Sequence, residues 1–268
     1  MNNFSTIEFD IQDRVAHLTL NRVNVRNAIN DQMMAELKEA FSLVNADQEL
    51  IALILKGNGP VFSAGADLNW MRSTLHNTYD QNRADSNNLQ QLFEAFFHIA
   101  PPTITIVHGA CIGGANGLAA ASDIVLAEEQ TQFRFSEVRI GLIPATIAPF
   151  IIHRMGPQAS KYYMLTGKAF RGEEALRNGL VNATGNQEKL DTELDILLKE
   201  LPNNSPQAMR QTKMLINQIS TISDQKKIRE RTVDAIATAR VSEDGQEGMQ
   251  AFLEKRKPRW VPDGTHPQ

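Results

Sequence analysis

The sequence predicts an α/β fold, and two observations carry that prediction. Short apolar, β-branched runs alternate with segments of helical apolar spacing through roughly the first 200 residues. Beyond that point strand signals vanish and only helical spacing remains. Taken in order, Val15 to Leu20 reads as a strand that ends in Asn21-Arg22. Asp31 is the expected cap of a helix on which Met33, Met34, Leu37, Phe41 and Val44 recur along one face. Ile51-Ala52-Leu53-Ile54-Leu55 is a continuous apolar run, as expected of a strand buried on both faces. Gly57-Asn58-Gly59-Pro60 is turn chemistry. Helical spacing returns at Leu89, Leu92, Phe93, Phe96 and Phe97 and is stopped by Pro101-Pro102. Thr103 to Val107, Asp123 to Ala127 and Gln132 to Phe135 read as further strands. Ser205-Pro206 is a helix start with proline at the first helical position, followed by Met209, Lys213, Ile216 and Ile219. Two more helical stretches are expected near 224–240 and 243–256. The expected division is a core over 1–200 and a helical appendage over 201–268.

The bulk composition narrows the function classes. Of 268 residues, 42% are apolar and 22% charged, ordinary values for a globular protein. A net charge of -4 argues against a general nucleic-acid binder. Cys111 is the single cysteine, so no internal disulfide is possible. Residues 1–8 have neither a basic nor an apolar signal region, and no uncharged apolar run reaches the ~20 residues of a membrane helix. A cytoplasmic protein with no membrane partner is the expectation.

Three stretches could carry chemistry. Val61 to Met71 follows a strand, and the small residues Ala64, Gly65 and Ala66 bare the backbone ahead of a helix expected near Asp67. Ile106 to Leu118 repeats the arrangement, with Gly113-Gly114 after the strand at 103–107. Amides from two such turns could meet one oxygen, the layout of an oxyanion hole; tight helix–sheet packing also demands small residues there. In Phe133 to Pro144, Glu137 lies among apolar residues broken by Arg134 and Arg139. A carboxyl in such surroundings has a raised pKa suited to proton transfer, whereas a surface glutamate paired with arginine would not. No third glycine completes a dinucleotide fingerprint, no Gly-Lys-Ser/Thr ends a phosphate loop, and no Gly-x-Ser-x-Gly elbow supports Ser63 as a nucleophile. The histidines show no ligand pair, so no metal site is expected; His98 and His108 read as structural and Cys111 as buried filler.

Together, Phe-Ser-Ala-Gly-Ala-Asp-Leu at 62–68, Gly-Ala-Cys-Ile-Gly-Gly-Ala at 109–115 and Ser-Glu-Val-Arg-Ile-Gly-Leu-Ile-Pro at 136–144 resemble the enoyl-CoA hydratase/isomerase (crotonase) family. The resemblance continues at 172–175, 179–181 and 247–256. It implies a crotonase-like spiral of ββα units over 1–200, with a C-terminal helical region used for assembly into trimers or paired trimers. It places oxyanion amides on Ala66 and Gly114 and the acid/base carboxyl on Glu137. Coenzyme A, part of the substrate rather than a resident cofactor, would lie along Ala64, Gly65, Asp67 and Leu68. Arg26 and Ala28 in the 21–28 loop are further candidate contacts, Arg26 at a phosphate. Phe252 and Lys255 would reach a neighbouring subunit's nucleotide.

One position departs from the family pattern. Two-carboxylate hydratases of the family carry a second glutamate where this chain has Gly117; Asn116 precedes it as a candidate to orient water. Within the family, 64–71 and 141–149 look like bacterial methylglutaconyl-CoA hydratases of leucine breakdown. Such a substrate ends in a distal carboxylate, for which Arg72, Arg134, Arg139 and Arg154 are candidates. The alternatives are double-bond isomerisation by the single carboxyl, or a non-catalytic acyl-CoA or RNA binder.

Overall fold

A computed structural model describes residues 4–262. Its strands are β1 (Ile7–Gln12), β2 (Val15–Leu20), β3 (Ala52–Gly57), β4 (Thr103–Val107), β5 (Ala110–Ile112), β6 (Ile124–Glu128), β7 (Gln132–Arg134) and β8 (Ala183–Gly185). Its helices are α1 (Asp31–Ala46), α2 (Leu68–Ser73), α3 (Tyr79–Phe97), α4 (Ala115–Ala121), α5 (Ala148–Thr166), α6 (Gly172–Arg177), α7 (Gln187–Glu200), α8 (Pro206–Ile219), α9 (Gln225–Val241) and α10 (Glu243–Leu253).

Six strands form one sheet in the order β1-β2-β3-β4-β6-β8. Only the β1–β2 pair is antiparallel. It is joined by Asp13-Arg14, both at positive φ, the backbone of a tight hairpin turn. The expected two-sided burial of β3 is present and has a structural cause. Leu53 and Leu55 face one core with α1 and α3, while Ala52 and Ile54 face a second core under Leu190, Leu194 and Met209. Burial of each such side chain is worth about 1.5–3 kcal/mol, so both faces hold the strand in place.

After β3, β4 and β6 the chain leaves this sheet and enters a second, smaller layer. There Ser63 pairs with Cys111, Cys111 with Phe133, and Phe133 with Phe170. Strand, short cross-layer strand, helix is thus the repeating unit, the spiral of ββα turns that the resemblance implied. The second layer is sealed by aromatic contact: the rings of Phe133 and Tyr163 stack on Phe170 at 5.6 and 4.1 Å.

Two local expectations are corrected. Asn30, not Asp31, caps α1, its side chain accepting Met33 N–H at 3.0 Å, and Asp31 is the first helical residue. Residues 110–112, expected as loop, are the strand β5. The C-terminal helices come where expected, with Ser205 capping α8. That helix is tied to the core by Lys213 Nζ to Asp123 at 2.6 Å and by Arg210 donating to the carbonyls of Asp47, Gln48 and Leu50. By contrast, α9 buries none of its residues.

Candidate active site

The site is assembled where the turn after β3 meets the turn after β5. Ser63 N–H donates to Ala110 O at 3.1 Å and Ile112 N–H to Ser63 O at 3.2 Å, so the two segments run zipped together. Their closest approach requires glycine. A β-carbon on Gly65, at φ +90°, would stand 2.5 Å from Ile112 O and 3.7 Å from Gly114 N. The two small-residue turns therefore lie against each other, as an oxyanion site demands.

Beyond the zipper, two amides are left over. Among the described residues, the N–H groups of Ala66 and Gly114 donate to no acceptor. Ala66 is exposed and Gly114 half-buried, so both amides lie at the rim of the protein interior. Gly114 caps α4, adding the partial positive charge of a helix start. A carbonyl oxygen gaining negative charge is the natural acceptor for such a pair.

Glu137 opens a short 3-10 turn, 137–140, after β7. Its carboxyl packs on Gly113: Oε1 is 3.3 Å from where a β-carbon of Gly113 would stand. Oε2 is buried and has no hydrogen-bond partner among the described residues. Burial pushes this carboxyl above the usual carboxylate range, outweighing the Glu137 and Ser136 amides that favour its charged form. Neither arginine neighbour in sequence neutralises it, because Arg134 Nε and Arg139 Nε both donate to Gly167 O, at 2.9 and 3.2 Å. A buried carboxyl with a vacant lone pair, beside two unused amides, can take a proton from one atom of a bound acyl group and return it to another.

The remaining residues singled out from sequence fall into three groups. Ala64 and Gly65 belong to the zipped turn, Leu68 opens α2 with its side chain exposed, and Arg26 is exposed nearby, its carbonyl accepting Ala64 N–H at 2.9 Å. Asp67 and Ala28 are engaged in holding the loop. The Asp67 carboxylate accepts Asn69 N–H at 2.7 Å, Trp70 N–H at 3.4 Å and Arg22 Nη1 at 2.8 Å, and the same Arg22 nitrogen donates to Ala28 O. Burial alone would raise the Asp67 pKa, but Arg22 and the two amides bring it below its ordinary value. Phe252 and Lys255 sit on and just past α10, with exposed side chains, and Phe252 is 83% exposed.

One feature was not read from sequence, and three positions that were read are engaged otherwise than expected. Asn27 is a buried hub whose Nδ2 donates to the carbonyls of Asn58, Val61 and Phe62, and whose carbonyl accepts Ser63 Oγ. It sits in a polar loop, in a left-handed conformation that asparagine tolerates. The space beside Gly117 is filled: a β-carbon there would lie 2.6 Å from Ile147 and 2.7 Å from the Phe93 ring. Asn116 donates from Nδ2 to Gly113 O and Arg134 O, both at 3.0 Å. Arg154 is also committed, its Nη1 to Ser122 O at 2.6 Å and its Nη2 to Asn182 Oδ1 at 2.6 Å, which removes it from the distal-carboxylate candidates.

Comparison with known proteins identifies the family. The sequence pattern of the enoyl-CoA hydratase/isomerase family matches residues 10–263. A Thermus thermophilus relative that carries an enoyl-CoA hydratase name is 33% identical over 92% of this chain and 97% of its own length. A crotonyl-CoA hydratase of Syntrophomonas wolfei is 29% identical over 96% of this chain and 98% of its own. The crystal structure of an enoyl-CoA hydratase from Shewanella pealeana superposes with a TM-score of 0.93 at 38% identity, covering 96% of this chain and 97% of that one. The chain belongs to the enoyl-CoA hydratase/isomerase (crotonase) family and is an enzyme of the enoyl-CoA hydratase, hydro-lyase type.

Proposed function

We propose that the chain adds water across the double bond of a 2-enoyl-CoA thioester through one carboxyl group, Glu137, and that 3-methylglutaconyl-CoA of leucine degradation is its substrate. The observation that carries this reading is the unpartnered, buried Oε2 of Glu137 beside the unused amides of Ala66 and Gly114. In the reaction the thioester oxygen accepts both amides. Glu137 takes a proton from water as the water oxygen bonds to the β-carbon, and the double-bond electrons move onto the thioester oxygen. The resulting enolate is held by the two N–H groups, which need no reorganisation; each is worth roughly 3 kcal/mol. Glu137 then returns its proton to the α-carbon, restoring the carboxylate. One carboxyl performing both transfers adds hydroxyl and hydrogen to the same face.

The site favours single-carboxyl chemistry, since Phe93 and Ile147 occupy the place of a second acid. For a substrate with a distal carboxylate, Arg72, Arg134 and Arg139 remain as cations, Arg72 being exposed on α2. Coenzyme A lies along 64–68, with Arg26 at a phosphate. Assembly into trimers or paired trimers brings Phe252 and Lys255 to a neighbour's nucleotide; the exposed apolar Val241, Phe252 and Leu253 support such burial.

Loss of the enoyl-thioester absorbance, followed with a panel of enoyl-CoA esters, tests the reading. Highest kcat/KM on 3-methylglutaconyl-CoA supports it. Turnover that moves the double bond without consuming water would assign isomerisation instead.

A further inference from the structure

Two peptide units present the proposed oxyanion donors, and each is held by its carbonyl on the far side. Gly65 O accepts Ile29 N–H at 2.7 Å. Gly113 O accepts two donors from one residue, the main-chain N–H of Asn116 and its side-chain Nδ2, each at 3.0 Å. A trans peptide is planar, and its C=O and N–H point in opposite directions. Holding Gly113 O therefore sets the direction of Gly114 N–H.

The same Nδ2 donates to Arg134 O at 3.0 Å, a carbonyl that also accepts Gly113 N–H at 2.9 Å. From Arg134 the chain runs through Phe135 and Ser136 to Glu137. One amide group thus spans the turn that carries an oxyanion donor and the segment that carries the carboxyl.

Packing does not account for an asparagine here. Asn116 is wholly buried, and its Oδ1 is buried without a partner among the described residues. A leucine would fill similar space and leave no unpaired oxygen, so what the asparagine adds is the pair of hydrogen bonds from Nδ2. We infer that Asn116 is a positioning residue that aims Gly114 N–H at the thioester oxygen and fixes its register with Glu137. This rests on the reading of Ala66 and Gly114 as oxyanion donors.

The test is Asn116→Leu, with Asn116→Ala as a second variant, each checked for folding by thermal melting. Two readouts separate positioning from plain structure. The first is the division of enoyl-CoA hydration kinetics between kcat and KM. The second is the absorbance of bound 4-dimethylaminocinnamoyl-CoA, a push–pull thioester whose band moves to the red when its carbonyl is polarised, with no turnover needed. Positioning predicts a melting temperature held or raised in Asn116→Leu, kcat lower by about 10–100-fold with KM within about threefold, and loss of at least half the red shift. A folded variant with full kcat and full red shift overturns the proposal, as does failure of both variants to fold. Absence of a red shift in the unaltered protein removes the oxyanion reading itself, an outcome distinct from any difference between variants.

Discussion

The carboxyl of Glu137 rests on the α-carbon of Gly113, with Oε1 3.3 Å from the position a β-carbon would take. Gly113 has φ +53° and its peptide carbonyl belongs to the unit that ends in Gly114 N–H. Base and oxyanion donor are thus linked through Gly113, although 23 residues separate Gly114 from Glu137 in the chain.

Glu137→Gln keeps the shape of the side chain and removes its proton chemistry. Hydration is expected to fall by about 10²–10⁴-fold, with acyl-CoA binding retained. Because burial raises the Glu137 pKa and the base form is required, the acid limb of kcat/KM should lie above the ordinary carboxylate range. The stability effect has the opposite sense. A raised carboxyl favours folding while protonated, and that contribution is lost as pH rises through the folded value. Glu137→Gln should therefore melt no lower than the unaltered protein at neutral pH. A pH–rate profile and thermal melts check both.

Gly114 allows a paired test of the second oxyanion donor. Its φ of -55° suits proline, and a β-carbon there would meet nothing within 4 Å. Gly114→Pro removes the N–H and is expected to lower kcat by about 10²–10³-fold with the fold retained. Gly114→Ala keeps the N–H and should retain most activity. Steady-state kinetics on both variants would show equal losses if the amide were irrelevant.

Gly117 tests whether a second carboxyl could be restored. Phe93 and Ile147 are buried and stand within 2.7 Å of the new β-carbon, so Gly117→Ala alone should cost about 1–3 kcal/mol in denaturant titration. Gly117→Glu should fold poorly and gain no activity. A stable, faster Gly117→Glu enzyme would mean that this wall yields.

Phe252 tests the contribution of a neighbouring subunit. Phe252→Ala should raise KM for coenzyme A esters while kcat changes little, and light scattering should report a trimer or hexamer for the unaltered chain. Unchanged KM in an assembled oligomer would remove Phe252 from the nucleotide site.

Much of this site was legible because backbone chemistry needs small residues, and small residues after a β-branched run are visible in sequence. Ala64–Ala66 and Gly113–Gly114 were singled out that way and Glu137 by its apolar surroundings, but each alone also fits a structural role, and it was their order and spacing, through the family resemblance, that assigned them oxyanion and acid/base roles. What stayed hidden depends on contacts between distant segments. The wall beside Gly117 comes from Phe93 and Ile147, 24 residues before and 30 after it. Arg154 looks like a free cation in sequence, yet its partners Ser122 and Asn182 lie about 30 residues to either side. The strand β5 has three residues, paired with β7 in the second layer, too few for any alternation to register. Helix α5 is two helical stretches that meet at a kink, where Gly156 has φ +71° and Pro157 follows it.

A crystal structure of the protein with an unreactive acyl-CoA tests the central claim most directly. The account predicts the thioester oxygen about 2.7–3.1 Å from both Ala66 N and Gly114 N, with Glu137 Oε2 facing the α- and β-carbons. A thioester bound elsewhere, or one whose acyl carbons lie out of reach of Glu137, would contradict it.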